Sequence, residues 1–164
     1  MGTQNQALTE NQPTPGSQHC SRVVAAVLTR QNRICLFQSS NLVSGDAGLW
    51  HCITGYLPHG VDPDTQVLTE IEEESGINCS ELTLRKRAVI ELMASNQHRW
   101  EIHAFHFDSS TESIMLNWEH TAYSWVEPKT LSGHATVHWL DDILQILSVQ
   151  IDDPITCARS TLKN

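Results

Sequence analysis

Between Gly55 and Ile77 the chain reads GYLPHGVDPDTQVLTEIEEESGI, and this stretch restricts the fold more than any other. Asp62 suits a helix N-cap, Pro63 the first helical position and Gly76 a helix stop. The spacing predicts a helix of about 13 residues between them, an ordinary length. Its last turns carry Glu70, Glu72, Glu73 and Glu74. Residues three and four apart share a helix face, so Glu70, Glu73 and Glu74 converge within one turn. Each like-charged pair at that spacing costs roughly 0.2–0.5 kcal/mol. The C-terminal end of the helix dipole disfavours anions as well. A carboxylate run alone is most often a solvated acidic face. A hard divalent cation with oxygen ligands would turn the same repulsion into coordination.

The segments around this helix read mainly as strands. RVVAAVLT from Arg22 is an apolar, β-branched run typical of a buried strand, and RICLFQ follows it after a short turn. NLVSGDAG is a loop by composition, and LWHCITG reads as a third strand ending in glycine. ELTLRKRAVIELMA, HRWEIHAFHFD and TAYSWVEP supply further strands. Leu140, Ile143, Leu144 and Leu147 recur at helical spacing and predict a C-terminal helix. Strands, a helix, more strands and a last helix imply an α+β fold, an αβα sandwich around a mixed sheet.

Length and charge narrow the function. The chain has 164 residues, 40% hydrophobic and 18% charged, which suits one domain with its own core. The polar opening, residues 1–20, is expected to be a disordered tail, with the folded domain over 21–164. The net charge of −9 opposes binding to large nucleic acids and anionic membranes. The one basic run, Arg85 to Arg87, is short and lies in a strand-like segment. A small anionic substrate neutralised by divalent cations remains compatible with that charge. Five cysteines, Cys20, Cys35, Cys52, Cys79 and Cys157, show no C-x-x-C spacing. They suit reduced thiols, and with no apolar stretch of spanning length and no secretory signal they point to a cytoplasmic protein. Among the nine histidines, His103 and His106 are three apart in a strand and face opposite ways, so joint metal ligation by them is not expected.

Gly55, Glu70, Ile71, Glu73, Glu74, Gly76 and Ile77 stand in the order of the Nudix box, G-x5-E-x7-R-E-U-x-E-E-x-G-U with U aliphatic, and the chain resembles the Nudix hydrolases there. Val61 and Thr69 depart from it, standing where the family has Glu and Arg. NWEHTAYSWVEP resembles a segment downstream of the box in the dihydroneopterin triphosphate and dATP pyrophosphohydrolases and in diadenosine tetraphosphatases. LWHCITGYLPHG is similar to the strand and loop entering the box in the first of these. The likeness spans roughly Arg22 to Trp139, and the dihydroneopterin triphosphate/dATP branch is the nearest in character.

The resemblance implies a Nudix-type αβα sandwich and a hydrolase dependent on Mg²⁺ or Mn²⁺. Its substrate would be a nucleoside triphosphate or another nucleoside diphosphate derivative, cleaved at a pyrophosphate linkage. Glu70, Glu74 and Glu119 match metal ligands of the family; Glu70 and Glu73 match residues that serve the chemistry. Thr54 and Gly55 match positions that touch substrate or present a backbone carbonyl. Ser39 falls where relatives often carry an arginine for the phosphates. The alternative, given Val61, Thr69 and Ser39, is a Nudix-fold binding module with little turnover. His120 reads as a structural histidine or a phosphate ligand, and Trp50, Trp118 and Trp125 as core fillers or base-stacking rings.

Overall fold

A computed structural model describes residues 20–94 and 96–149. The expected tail lies outside these residues except for Cys20, and so does Cys157. Strand β1 (Cys20–Arg30) already includes Cys20, which pairs with Arg99. It turns through Gln31 and Asn32 into β2 (Arg33–Ser39). Both turn residues have positive φ, 49° and 61°, the conformation that a tight hairpin between right-twisted strands requires.

The run LWHCITG forms two strands rather than one. In β3 (Trp50–His51), Trp50 and His51 pair with Gln38 and Phe37 of β2. In β4 (Ile53–Tyr56), the residues pair with Val23–Ala26 of β1. The neighbouring β1 and β2 are registered only near their shared turn, at Thr29↔Ile34 and Arg30↔Arg33. Where they diverge, the chain crosses from the edge of one to the edge of the other. Alternating hydrophobicity cannot report a change of partner in mid-run.

Helix α1 (Pro63–Ser75) follows, then a 3₁₀ turn at Cys79–Glu81 and β5 (Leu82–Met93). The remaining elements are β6 (Arg99–Ser109), β7 (His120–Val126), a second 3₁₀ segment at Pro128–Gly133 and α2 (Leu140–Ile146). The sheet runs β3-β2-β1-β6-β5, with β4 added to β1 and β7 to β2. β1 and β6 are parallel and the other pairs antiparallel, so the sheet is mixed as expected.

Side chains on β1 alternate between two cores. Val24, Ala26 and Leu28 join Val67 and Ile71 of α1, while Ala25 and Val27 join Leu140, Ile143 and Leu144 of α2. Cys35 and Phe37 of β2 face α1, and Ile34 and Leu36 face α2. Both faces of these strands are buried, which is why their sequences are continuously apolar. The result is a helix on each face of one sheet, the expected α+β sandwich. Among the described residues no helix is long and apolar enough to cross a membrane.

Candidate metal and substrate site

The caps anticipated from sequence are present. Asp62 accepts a hydrogen bond from the Thr65 amide at 3.0 Å, and Gly76 closes α1 at φ 71° with its N–H on Glu72 O. Val67 and Ile71 direct one face of the helix into the core, and Glu74 follows at the next turn of that face. Only 2% of the Glu74 side chain is exposed. Glu70 is half-buried, while Glu72 and Glu73 are exposed. The convergence expected of Glu70, Glu73 and Glu74 is therefore graded: one buried, one half-buried and one at the solvent rim.

Glu70 lies against β4. A Cβ on Gly55 would stand 2.0 Å from Glu70 Cδ and 2.1 Å from Oε1, so only glycine admits this carboxyl to the backbone. Gln66 Nε2 donates to Glu70 Oε1 at 2.7 Å from one helical turn earlier. Thr69 is exposed, and its hydroxyl donates back to Thr65 O at 3.2 Å. Val61 packs against the α1-side core.

The opposite wall comes from the start of β7. Glu119 is fixed through its backbone: its N–H bonds Asn117 Oδ1 at 3.0 Å and its carbonyl accepts from the Ser40 amide at 2.7 Å. Next to it, His120 Nε2 lies 2.6 Å from Glu74 Oε2. The His120 ring is 5.2 Å from Phe37 and 5.4 Å from His51, centroid to centroid. Ser39 is buried and bonds His51 Nε2 at 2.7 Å, so it cannot reach a substrate phosphate as an arginine at that place would.

Acidic groups are concentrated here, and among the described residues no lysine or arginine pairs with them. Burial, then the carboxylates of Glu119, Glu70 and Glu73, push Glu74 up to about 9; a backbone contact from Thr54 acts in the other direction. Glu70 is raised by burial, opposed by Gln66 and reinforced by Glu73 and Glu119. Glu119 is raised by burial and by Glu73. Burial and the adjacent His51 lower His120 to about 4. Among the described residues, buried Glu74 Oε1 has no hydrogen-bond partner. An unpaired carboxyl oxygen in a dry, anionic environment is costly unless a cation meets it.

The ligand atoms of Glu74, Glu119 and His120 all lie within 4.8 Å of one another. Two atoms bound to one ion at about 2.1 Å can be at most about 4.2 Å apart, so small adjustments would bring the carboxylates of Glu74 and Glu119 around a single divalent cation, with His120 bonded to Glu74 beside it. With Glu70 beside them, the donor set suits such an ion. Sequence reasoning placed Glu70, Glu74, Glu119, Thr54 and Gly55 in one neighbourhood, and the structure brings these together. His120 was left undecided between structural and phosphate-binding roles, and its bond to Glu74 was missed; its position after Glu119 was the only signal.

Other candidates fall elsewhere. Trp125 donates Nε1–H to Glu112 O and packs on the α1-side core, and Trp50 packs on the other core. Trp118, 61% exposed, is the one of the three rings open to solvent beside Glu119. His103 pairs with Glu101 at 2.8 Å and His106 with Thr29 at 2.7 Å, as separate strand positions. Arg87 pairs with Asp64 and Arg85 with Asp108, which offsets two charges of the basic run, and Lys86 donates to the Ser148 hydroxyl. A cavity of about 360 Å³ between the start of α1 and β5–β6, and one of about 580 Å³ beyond the β1–β2 turn, lie away from the carboxylates.

The fold has well-covered structural counterparts. A C. elegans Ap4A hydrolase is similar over 78% of this chain and 95% of its own, with TM-score 0.64 and 18% identity. The E. coli dihydroneopterin triphosphate pyrophosphohydrolase is similar over 79% and 96%, with TM-score 0.60 and 20% identity. A bifunctional NMN adenylyltransferase/ADP ribose pyrophosphatase from Francisella tularensis superposes with TM-score 0.71 over 83% of this chain and 42% of that one, at 16% identity. No curated protein matches the chain in sequence. The family model of the NUDIX domain matches residues 19–145. That span takes in the capped acidic helix, the glycine beneath Glu70 and the Glu119–His120 wall, and the chain belongs to the NUDIX family.

Proposed function

We propose that the chain is a divalent-metal-dependent hydrolase that cleaves a pyrophosphate linkage in a nucleoside triphosphate or another nucleoside diphosphate derivative. The observation that carries this reading is Glu74: a buried carboxyl with an oxygen unpartnered among the described residues, driven toward protonation by burial and then by three neighbouring carboxylates. Mg²⁺ or Mn²⁺ held by Glu70, Glu74 and Glu119 would neutralise substrate phosphates and acidify a water. Glu73, exposed at the rim, would accept a proton as water attacks phosphorus and the P–O bond to the leaving phosphate breaks. Thr54 and Gly55 present backbone beside Glu74 and Glu70, where a phosphate would approach. The exposed, acidic character of the rim suits a small phosphorylated substrate delivered with its cation rather than a nucleic acid.

The test is phosphate or pyrophosphate release from a panel of nucleoside triphosphates and diphosphate derivatives with Mg²⁺ and Mn²⁺. Glu74→Gln is expected to abolish turnover. Turnover indifferent to Glu74 would remove the metal-site reading. Cation-dependent nucleotide binding without turnover would identify a binding module instead.

A further inference from the structure

We propose that Gln66 and His120 are positioning residues, each fixing one oxygen of a cation-facing carboxyl by a hydrogen bond and so aiming the group at the ion. The proposal rests on the reading above only in taking Glu70 and Glu74 as cation ligands. Gln66 Nε2 meets Glu70 Oε1 at 2.7 Å, and Gly55 blocks nothing on the other side of that carboxyl. His120 Nε2 meets Glu74 Oε2 at 2.6 Å, with both side chains only 2% exposed.

The direction of the second bond follows from what His120 lacks. Its Nδ1 is buried without a hydrogen-bond partner among the described residues. An unpaired buried N–H is rarer in folded proteins than an undersatisfied acceptor. A cation-bound Glu74 would be ionised and could only accept, so the imidazole hydrogen would sit on Nε2 and be donated to Glu74 Oε2, which leaves Oε1 for the ion. Phe37 and His51 pack beside the ring and hold it at that angle.

The amide donor of Gln66 carries no charge, and this has an electrostatic result. A guanidinium at position 69 would orient a glutamate and also cancel part of its charge. An amide orients without cancelling, so Gln66 leaves the charge of Glu70 for a cation. Thr69, turned to solvent and bonded to Thr65 O, takes no part.

The experiment is Mn²⁺ titration followed by the electron paramagnetic resonance of free Mn²⁺, on wild type, His120→Leu, His120→Gln and Gln66→Met. The Leu and Met variants should weaken Mn²⁺ binding about 10–100-fold, the usual loss when support of a metal ligand is removed. His120→Gln, which retains an amide donor near the place of Nε2, should restore most of the affinity. Pulsed measurements on bound Mn²⁺ should show no nitrogen coupling from a directly bound imidazole.

Unchanged affinity in the Leu and Met variants would overturn the proposal. So would a Gln variant as weak as Leu, or nitrogen coupling that makes His120 itself a ligand. Should His120→Leu fail to fold, Gln66→Met at its half-buried helix position and His120→Gln carry the same comparison. Turnover measured in parallel separates the two readings: Mn²⁺ binding that depends on both residues without hydrolysis keeps this proposal and removes the enzyme. A wild type that binds no Mn²⁺ removes both.

Discussion

Replacing Glu74 with Gln should stabilise the metal-free protein, and increasingly so as the pH rises. Glu74 has its folded pKa raised from 4.5 to about 9, first by burial and then by Glu119, Glu70 and Glu73. Above pH 4.5 the unfolded chain gives up this proton while the native state keeps it until about pH 9. The native state then binds more protons than the unfolded one, so stability falls with rising pH in that window; below it the effect is absent. One proton corresponds to about 1.36 kcal/mol per pH unit, or about 4 kcal/mol between pH 5 and pH 8. Rearrangement around a coupled buried group lowers this, and about 2–4 kcal/mol is expected. Glutamine keeps the shape and an acceptor for His120 but cannot ionise. Glu70 and Glu119 titrate in both proteins and largely cancel in the difference. Urea unfolding of both proteins in EDTA at pH 5, 6.5 and 8 measures it directly. The stability gap should widen with pH. A gap that stays flat would refute the idea that burial among carboxylates strains this group. Mn²⁺ at a thousandfold excess over Kd should close or reverse the gap, because only wild type then gains about 4.1 kcal/mol.

Three further outcomes are expected. Gly55→Ala places a methyl 2.0 Å from Glu70 Cδ, and that carboxyl is the flexible end of a side chain. It should cost only about 1 kcal/mol of stability yet weaken Mn²⁺ binding about tenfold or more, as melting and titration together would show. Thr69→Arg should raise kcat more in a Gln66→Met background than in wild type, where Gln66 already holds Glu70 at 2.7 Å; an equal gain in both would deny Gln66 that function. Asp62→Ala removes the acceptor of the Thr65 amide and should lower stability by about 1 kcal/mol, read from urea midpoints, with cation affinity little changed.

Much of the site was legible because it depends on local chemistry. Asp62, Pro63 and Gly76 specify α1 through caps that need no tertiary partner, and its bounds match those expected. The paired cores were legible in the continuous apolar runs of β1 and β2. Partner choice was not: LWHCITG has the alternation of one strand, and only the divergence of β1 from β2 decides where it breaks. The His120–Glu74 bond spans 46 residues, and no periodicity encodes contact at that distance. Likewise, the acidic run showed three carboxylates on one side of a helix but not their depths. Those are set by Ile71 and Val67, which pull Glu74 inward and leave Glu73 at the rim.

The parallel pairing of β1 with β6 joins residues such as Thr29 and Asp108, 79 positions apart. Closing so long a loop is slow, and topologies built on distant pairings fold slowly. The wall bearing Glu119 and His120 comes later still in the chain, and it exists only once β7 lies along β2, with His120 opposite Ser39. A divalent ion thus has nothing complete to grip until the sheet is assembled. It should act as a latch rather than a nucleus, slowing unfolding while leaving the refolding rate unchanged.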